Sequence, residues 1–578
     1  MASGHDETYE KQPLLSSSGN TPKGSVKKEN TLNGSTRSQI TLKIHTQYQP
    51  KFSPRKLVVV MCILVTEMCE RLSYYSVVAN LILFCTSVLK FTSNDAATIS
   101  LVFAGTVYLI PIVGGYIADA KAGMFNTIFG SALIYLLGLF LLPASATDYV
   151  ALFGDGYDLS VEWRRAMFLT ALVLVALGTG GIKANVGPFG AQQVQDVGPQ
   201  AVQTFFNWYY WFVNAGALIA YVAVAAVQQN VSFGWGFLIP FLTMLLAIFF
   251  LLIARKNYIH KQLKGSVLGD SFIVCWQGCC RPSPPYKETE GFFDTARLHY
   301  GGSYSDQTVD GVIAVVRVLP VFFFVIMYWA VYSQMSSTFF IQGERMDLHV
   351  GGSQVPVAML NAFNTIAIMI LIPILDRIIY PCFQRIGRPL SHLHRIGIGF
   401  ILAALSMVVA AVVEIERKDH FGFEQEVGDE TFFASNISIF IQIPQFALVG
   451  ASEAFTSISG LEFAYTQAPV NMQGMMTGMF MATSGLGNYL ASAILKIVES
   501  ATKDDPWFPN EINDGHAEYL FFLLAGMMGV FFLGYLAVAK VYKYREYEPN
   551  LDIEAEVKVG PQPPQQTTRD RESSDTVF

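Results

Sequence analysis

Stretches of about 20 mostly apolar residues recur along this chain, and a stretch of that length wound as a helix crosses a hydrocarbon layer of ~30 Å. Twelve are found, near 57–88, 97–118, 124–144, 165–187, 202–228, 233–254, 311–341, 354–376, 393–413, 434–466, 471–498 and 517–542. With 52% hydrophobic and 14% charged residues, the chain has too few solvating groups to cover so much apolar surface in water. The sequence therefore predicts an all-α membrane protein with 12 transmembrane helices.

The widest gap between apolar stretches holds Pro282, Pro284, Pro285, Gly301 and Gly302 and divides the helices six and six. The expected organisation is a disordered tail over 1–56, a six-helix bundle over 57–254, a linker over 255–310, a second bundle over 311–543 and a second tail over 544–578. The first tail is polar and Ser/Thr/Lys-rich, without the apolar segment of a cleaved leader. Lys51, Arg55 and Lys56 precede helix 1, Arg255, Lys256 and Lys261 follow helix 6, Arg377, Arg385, Arg388 and Arg395 lie between helices 8 and 9, and Lys540, Lys543 and Arg545 follow helix 12. The bias of basic residues toward the inside assigns these ends, and both termini, to the cytosol. Two six-helix bundles joined by a long loop are the plan of the major facilitator superfamily, in which substrate binds between halves that rock alternately. Gly115, Asp119 and Gly123 resemble its loop motif, with Met124 in place of the usual basic residue.

Glu67, Glu70 and Arg71 stand more than ten residues into the first apolar stretch, where an unpaired charge costs several kcal/mol. Spacings of three and four put all three on one helix face. Two adjacent carboxylates rarely both stay ionised in a dry setting, so one is expected to hold a proton reversibly. A static salt bridge that fixes packing is the plainer alternative. Lys183 follows Gly178-Thr179-Gly180-Gly181-Ile182, whose glycines allow close helix approach. It either reaches a charged cluster on a neighbouring helix, if helix 4 continues beyond Val186, or extends to the cytosol from the helix end.

In the second half, Glu453 and Asn364 together offer oxygens for an ammonium group. Glu462, nearer the cytosolic end, suits a gating or packing salt bridge, with Arg317 as one possible partner. Tyr74, Tyr75, Tyr108, Tyr209, Tyr210, Trp211 and Trp329 cluster around these positions, although aromatics in such helices more often serve packing. Nothing resembles a nucleic-acid site. Cys275, Cys279 and Cys280 lack a Cys-x-x-Cys pair or nearby His, so neither a metal nor a disulfide framework is expected.

Four motifs occur in order: Glu67-x-x-Glu70-Arg71-x-x-Tyr74-Tyr75, the Gly-Thr-Gly-x-x-Lys-x-Asn-Val run through Lys183 and Asn185, Phe206-Asn207-Trp208-Tyr209-Tyr210-Trp211 leading to Asn214, and Gly460-Leu461-Glu462-Phe463-Ala464-Tyr465 with Ala468-Pro469. With them the chain resembles the proton-dependent oligopeptide transporter family from helix 1 through helix 12. The resemblance implies a symporter rather than an enzyme, with protons as coupling ion and no cofactor. It implies that Glu67, Glu70 and Arg71 couple to Lys183. Tyr74, Tyr75, Tyr108, Asn214 and Lys183 would bind the carboxylate end of the substrate, and Asn364 and Glu453 its amino group. Val78 stands where the bacterial and intestinal peptide carriers have a second arginine, Leu101 where the intestinal type has a histidine, and Ser333 where it has an acidic residue. The runs around Asn80, Pro188 and Tyr328 instead resemble the animal peptide/histidine branch, which leaves histidine, di- and tripeptides and nitrate as substrates to separate.

Glu10-Lys11-Gln12-Pro13-Leu14-Leu15 matches an acidic dileucine signal. Read by a clathrin adaptor, Glu10, Leu14 and Leu15 would direct the chain to endosomes and lysosomes, whose acidic lumen would drive export to the cytosol; the plasma membrane is the alternative address. Asn230 and Asn436 begin sequons on the non-cytosolic side, both close to the membrane. Thr576-Val577-Phe578 fits a PDZ-type ligand loosely. A reading of a different class is a lysosomal membrane scaffold or nutrient sensor that recruits cytosolic signalling partners through its tails and linker.

Overall fold

The computed structural model describes residues 53–154, 159–260, 267–280, 292–420, 422–427, 430–468 and 472–544. Among the described residues twelve helices occupy the apolar stretches: α1 (Pro54–Ala79), α2 (Ser93–Ile117), α3 (Met124–Ala146), α4 (Val161–Val194), α5 (Pro199–Ile219), α6 (Phe233–Ile253), α7 (Asp306–Tyr332), α8 (Asn361–Ile374), α9 (His392–Lys418), α10 (Ile443–Gln467), α11 (Gln473–Ala501) and α12 (Ala517–Val541); a further helix, Val267–Cys280, lies in the linker. Nine helical spans among the described residues are long and apolar enough to cross a membrane by length and composition alone. The other three long helices are α1, α10 and α11. They pack against α6 and α5, against α9 and α8, and against α2 and α7, respectively. α1 carries the three intramembrane charges that lower its apolarity.

Pro54 opens α1 at the position where its missing N–H costs nothing. The single helix expected over 57–88 is broken at Asn80, and Leu81–Ser87 resumes as a short helix. Asn80 Nδ2 donates to Ala225 O at 2.9 Å and to Gln228 Oε1 at 3.2 Å, bonds across the bundle that the local apolar pattern does not encode. The expected start of helix 10 at 434 also needs correction. Glu430–Ser438 is a strand, β5, and the helix begins only at Ile443. β5 pairs antiparallel with β4 (Gly422–Val427) and parallel with β1 (Met346–Asp347), so the acidic connection after α9 is a folded hairpin. A second small hairpin joins β2 (His349–Val350) to β3 (Ser353–Gln354), turning at Gly351 and Gly352, both with positive φ.

The glycines before Lys183 face different neighbours. A Cβ on Gly178 would stand 2.4 Å from Tyr135 Cβ and 2.6 Å from its backbone N on α3. One on Gly180 would stand 2.2 Å from Ile110 Cγ2 on α2, and one on Gly181 would stand 1.9 Å from Ser131 Oγ on α3. α2, α3 and α4 thus meet backbone to backbone, and the depth of Lys183 follows from that fit. Gly178→Val is expected to destabilise the first half by about 1–3 kcal/mol through overpacking, because the obstructing atoms include backbone. A lower unfolding temperature of the purified protein in detergent would register it; an unchanged value would show that α3 and α4 can separate at no cost.

α2 and α11 join the halves. Cβ atoms on Gly105 and Gly485 would each meet the other's carbonyl oxygen, at 3.0 and 2.8 Å, and the Thr106 and Tyr489 hydroxyls lie 2.8 Å apart. At the end opposite the Arg- and Lys-rich helix ends, Lys90 pairs with Glu430, Lys496 Nζ lies 2.7 Å from Asp95 Oδ1, and Ser93 N donates to Asn510 Oδ1 at 2.7 Å. Gln229 adds bonds to the backbone of Val355 and Val357. The two halves are joined at that end.

Candidate functional site

Glu67, Glu70 and Arg71 are buried on one face of α1, at 0%, 0% and 4% exposure. Arg71 Nε donates to Glu67 Oε1 at 2.8 Å and lies 2.9 Å from Glu70 Oε2. The second of these is an ion pair without hydrogen-bond alignment, for both Glu70 oxygens lack a hydrogen-bond partner among the described residues, as does Glu67 Oε2. Tyr209 on α5 donates its hydroxyl to Glu67 Oε1 at 2.7 Å. Gly216, about two turns further along α5, lets the helix approach α1 closely enough for that bond, since a Cβ there would stand 2.6 Å from Met68 O. Two carboxylates therefore share one guanidinium, and three buried acceptor oxygens stand open. A proton on one carboxylate balances the charge and supplies a donor, which is what such a site lacks.

α4 continues to Val194, so Lys183 lies inside the helix rather than at its end. Its ammonium sits 3.2 Å from the centroid of the Tyr108 ring and 5.7 Å from that of Tyr74. Among the described residues no carboxylate forms an ion pair with it. The two aromatic faces hold the cation without neutralising it, leaving it open to an incoming anion. Tyr74 meets Tyr75 edge-on at 5.2 Å, and Tyr75 lies 5.4 Å from Tyr221, extending the aromatic wall. Asn214, by contrast, turns back on its own helix, its Nδ2 donating to Tyr210 O at 2.8 Å.

On the facing half, Asn364 Nδ2 donates to Glu453 Oε2 at 3.4 Å and to the Tyr332 hydroxyl at 3.5 Å. Gly450 makes room, since a Cβ there would stand 2.6 Å from Asn364 Oδ1. That oxygen is buried with no hydrogen-bond partner among the described residues. Asn364 and Glu453 thus present an amide oxygen and a carboxylate beside Trp329 and Tyr332, whose rings lie 5.1 Å apart. This arrangement can accept the three donors of an ammonium group.

Glu462 does not meet Arg317. It lies 3.3 Å from His392 Nε2 and 3.5 Å from Arg395 Nη1, both in the first turn of α9, and Arg395 stacks 3.8 Å over the Tyr380 ring. α9 packs directly along α10, whereas Arg317 is exposed on α7. Asn230 and Asn436 are exposed, with Asn230 Nδ2 donating to Gln354 O at 3.3 Å. Glu10, Leu14 and Leu15 lie outside the described residues. Tyr209, whose hydroxyl donates to Glu67, gave no signal beyond its place among the aromatics, and Tyr332, whose hydroxyl accepts from Asn364, is not among the aromatics singled out from the sequence. The sequence reading also missed a second buried charge group, Glu344–Arg345 and Glu414–Arg417, at 2.9 and 2.6 Å. The three-residue spacing of Glu414 and Arg417 inside an apolar helix was its available signal.

The sequence profile described as PTR2, POT family, matches residues 125–513. The chain belongs to the POT family. It is 33% identical to mouse solute carrier family 15 member 3 over 536 residues, covering 84% of this chain and 92% of that one. It is 33% identical to the Arabidopsis thaliana protein NRT1/PTR family 8.1 over 537 residues, covering 84% and 93%. Among solved structures, the POT family transporter PepTSo superposes with TM-score 0.69 at 25% identity, over 83% of this chain and 97% of that one. An auto-inhibited POT family peptide transporter superposes with TM-score 0.70 at 24% identity, covering 85% and 98%, which supports the same fold. The protein is thus a multi-pass membrane transporter of the major facilitator type, not an enzyme. Where the compared peptide carriers are expected to differ, Val78 is half-buried, Leu101 is buried, and the Ser333 hydroxyl is occupied by Ala330 O at 2.9 Å.

Proposed function

We propose that this transporter is a proton-coupled symporter that exports L-histidine and di- and tripeptides from the endolysosomal lumen to the cytosol. The observation that carries the reading is the separation of charge: two carboxylates on one guanidinium in α1, and an ammonium in α4 held against tyrosine rings with no carboxylate paired to it among the described residues. The substrate carboxylate takes Lys183, with Tyr74, Tyr75 and Tyr108 around it, and its ammonium takes Glu453 and Asn364. A carboxylate on Lys183 withdraws positive potential from the glutamates, and a proton on Glu67 or Glu70 restores it. Proton and substrate binding then favour each other. Ion-pair exchange at Glu462, Arg395 and His392 would gate the cytosolic side.

Position 78 lacks a second arginine, which weakens the hold on a peptide carboxylate and suits a small zwitterion such as histidine. Nitrate, which the sequence leaves open as an alternative substrate, is the anion to set against it. The N-terminal dileucine would supply the address through a clathrin adaptor, with both termini in the cytosol. The test is uptake of labelled histidine and dipeptide into proteoliposomes, with and without an imposed inward proton gradient. At least a ~5-fold stimulation by the gradient is expected, competed by unlabelled histidine and dipeptides and not by nitrate. Competition by nitrate alone would overturn the substrate assignment. Gradient-independent binding without accumulation would favour the scaffold or sensor reading.

A further inference from the structure

A cavity of about 290 Å³ opens between the start of α1, the end of α4 and the segment after α6, lined by Ser53, Arg55, Lys56, Gln193, Asn257 and Ile259 among others. Its walls are fixed. Gln193, 2% exposed, accepts from Ile259 N at 2.8 Å and donates to Ile259 O at 3.1 Å, and Lys56 pairs with Asp196, tying α1 to the end of α4. Arg55 lines the cavity, and Arg255 and Lys256 lie on the turn that supplies Asn257; all three are exposed, and among the described residues none pairs with a carboxylate. Arg255 stands 5.7 Å over the Phe125 ring, which positions it without neutralising it.

Arg55 in the cavity wall, with Arg255 and Lys256 on the adjoining turn, favours a compact polyanion, and guanidinium forks select phosphate oxygens. The surroundings decide its form. Leu57 and Val58, next to Arg55, are each 53% exposed, Ile253, before Arg255, is 52% exposed, and Ile259 in the wall is 42% exposed. These residues set the cations at the edge of the bilayer, where a lipid presents its phosphates beside them with its acyl chains already along the apolar border, and a soluble anion gains nothing from that border. Each phosphomonoester adds about 1.5–2 negative charges, so three cations match a phosphorylated inositol headgroup better than the single net charge of phosphatidylserine. The geometry points to a phosphoinositide site here: phosphates on Arg55, Arg255 and Lys256, inositol in the cavity, and acyl chains along Leu57, Val58 and Ile253. The lipid would come from the leaflet facing the Arg- and Lys-rich helix ends and would bridge α1 to the segment after α6.

The test uses the full-length protein in phosphatidylcholine nanodiscs, titrated with dioctanoyl phosphatidylinositol bisphosphate, dioctanoyl phosphatidylserine and free inositol trisphosphate. The phosphoinositide is expected to bind at least ~10-fold more tightly than either of the others. Each lost cation should cost roughly 5-fold, so R55Q/R255Q/K256Q should weaken it by on the order of 100-fold. R385Q/R388Q/K543Q removes the same charge from exposed positions in the second half and is expected to change affinity less than ~2-fold. Should the first triple variant fail to fold, Arg55→Gln alone carries the test at ~5-fold. Equal losses in the two triple variants would reduce the effect to general surface charge and overturn the site. Equal binding of phosphatidylserine would overturn the inositol assignment, and equal binding of free inositol trisphosphate the lipid one.

Discussion

Glu70→Gln is expected to abolish the proton-gradient stimulation of histidine and dipeptide uptake, taking the ratio with and without the gradient from at least ~5 to about 1, while substrate exchange without a gradient continues. The substitution keeps the shape of a side chain that is 0% exposed and deletes one of the two carboxylates facing Arg71. What remains is one carboxylate on one guanidinium, a neutral pair. Protonating Glu67 in that pair would strand a buried Arg71, which is costly, so the reversible proton position is lost. Exchange survives because the substitution leaves in place Lys183, Asn364 and Glu453, the groups proposed to hold substrate. Lys183→Gln separates the two roles from the other direction: it is expected to raise KM for histidine on the order of 10-fold and to leave the cluster on α1 intact. Parallel uptake and counterflow in proteoliposomes distinguish these outcomes. Full gradient stimulation in the Glu70 variant would refute the assignment of the proton to this cluster.

The geometry of that cluster was legible because its spacing is local. Residues three and four apart on one helix must share a face, and the structure places Arg71 on both glutamates. The twelve apolar stretches were legible for the same reason, each reporting a length and little else. What escaped depended on rotation and on distant partners. Periodicity put Glu462 near the cytosolic end but could not say whether it turned toward α7 or α9, and it turned toward His392 and Arg395. Lys183 was recognised by its depth, yet its resting place on the Tyr108 ring follows from how α2 and α4 fit through their glycines. Apolar pattern alone carried the helix of residues 434–466 back into a strand, because Phe432, Ala434 and Ser435 are buried there while the strand pairs with β4 and β1. The break at Asn80 likewise answers to Ala225 and Gln228, about 145 positions away.

The largest effect on stability is expected at Arg417, in the charge group that sequence reasoning missed. Arg417 is 0% exposed and grips Glu414 with two bonds, Nε to Oε2 at 2.9 Å and Nη2 to Oε1 at 2.6 Å. Its Nη1 reaches Asn513 Oδ1 at 2.5 Å, and Gln342 Nε2 donates to Glu414 Oε2 at 2.8 Å. Beside it Arg345 joins Glu344 at 2.9 Å and Glu511 at 3.2 Å, so α9, the end of the α7 segment and the loop before α12 meet on these charges. Arg417→Met leaves Glu414 buried without a counter-charge, a loss of about 3–5 kcal/mol. A second change, Glu414→Leu, removes the stranded carboxylate and is expected to recover most of that loss, because a well-packed apolar pair can replace a buried ion pair. The pair Arg395–Glu462, whose carboxylate side is half-exposed, provides the contrast, since breaking a pair that water reaches costs about 0–1 kcal/mol. Thermal unfolding of the four proteins in one detergent ranks them: Arg417→Met lowest, the double variant and Arg395→Met near wild type. A single variant as stable as wild type would mean that water reaches Glu414 and that these charges do not hold the second half together.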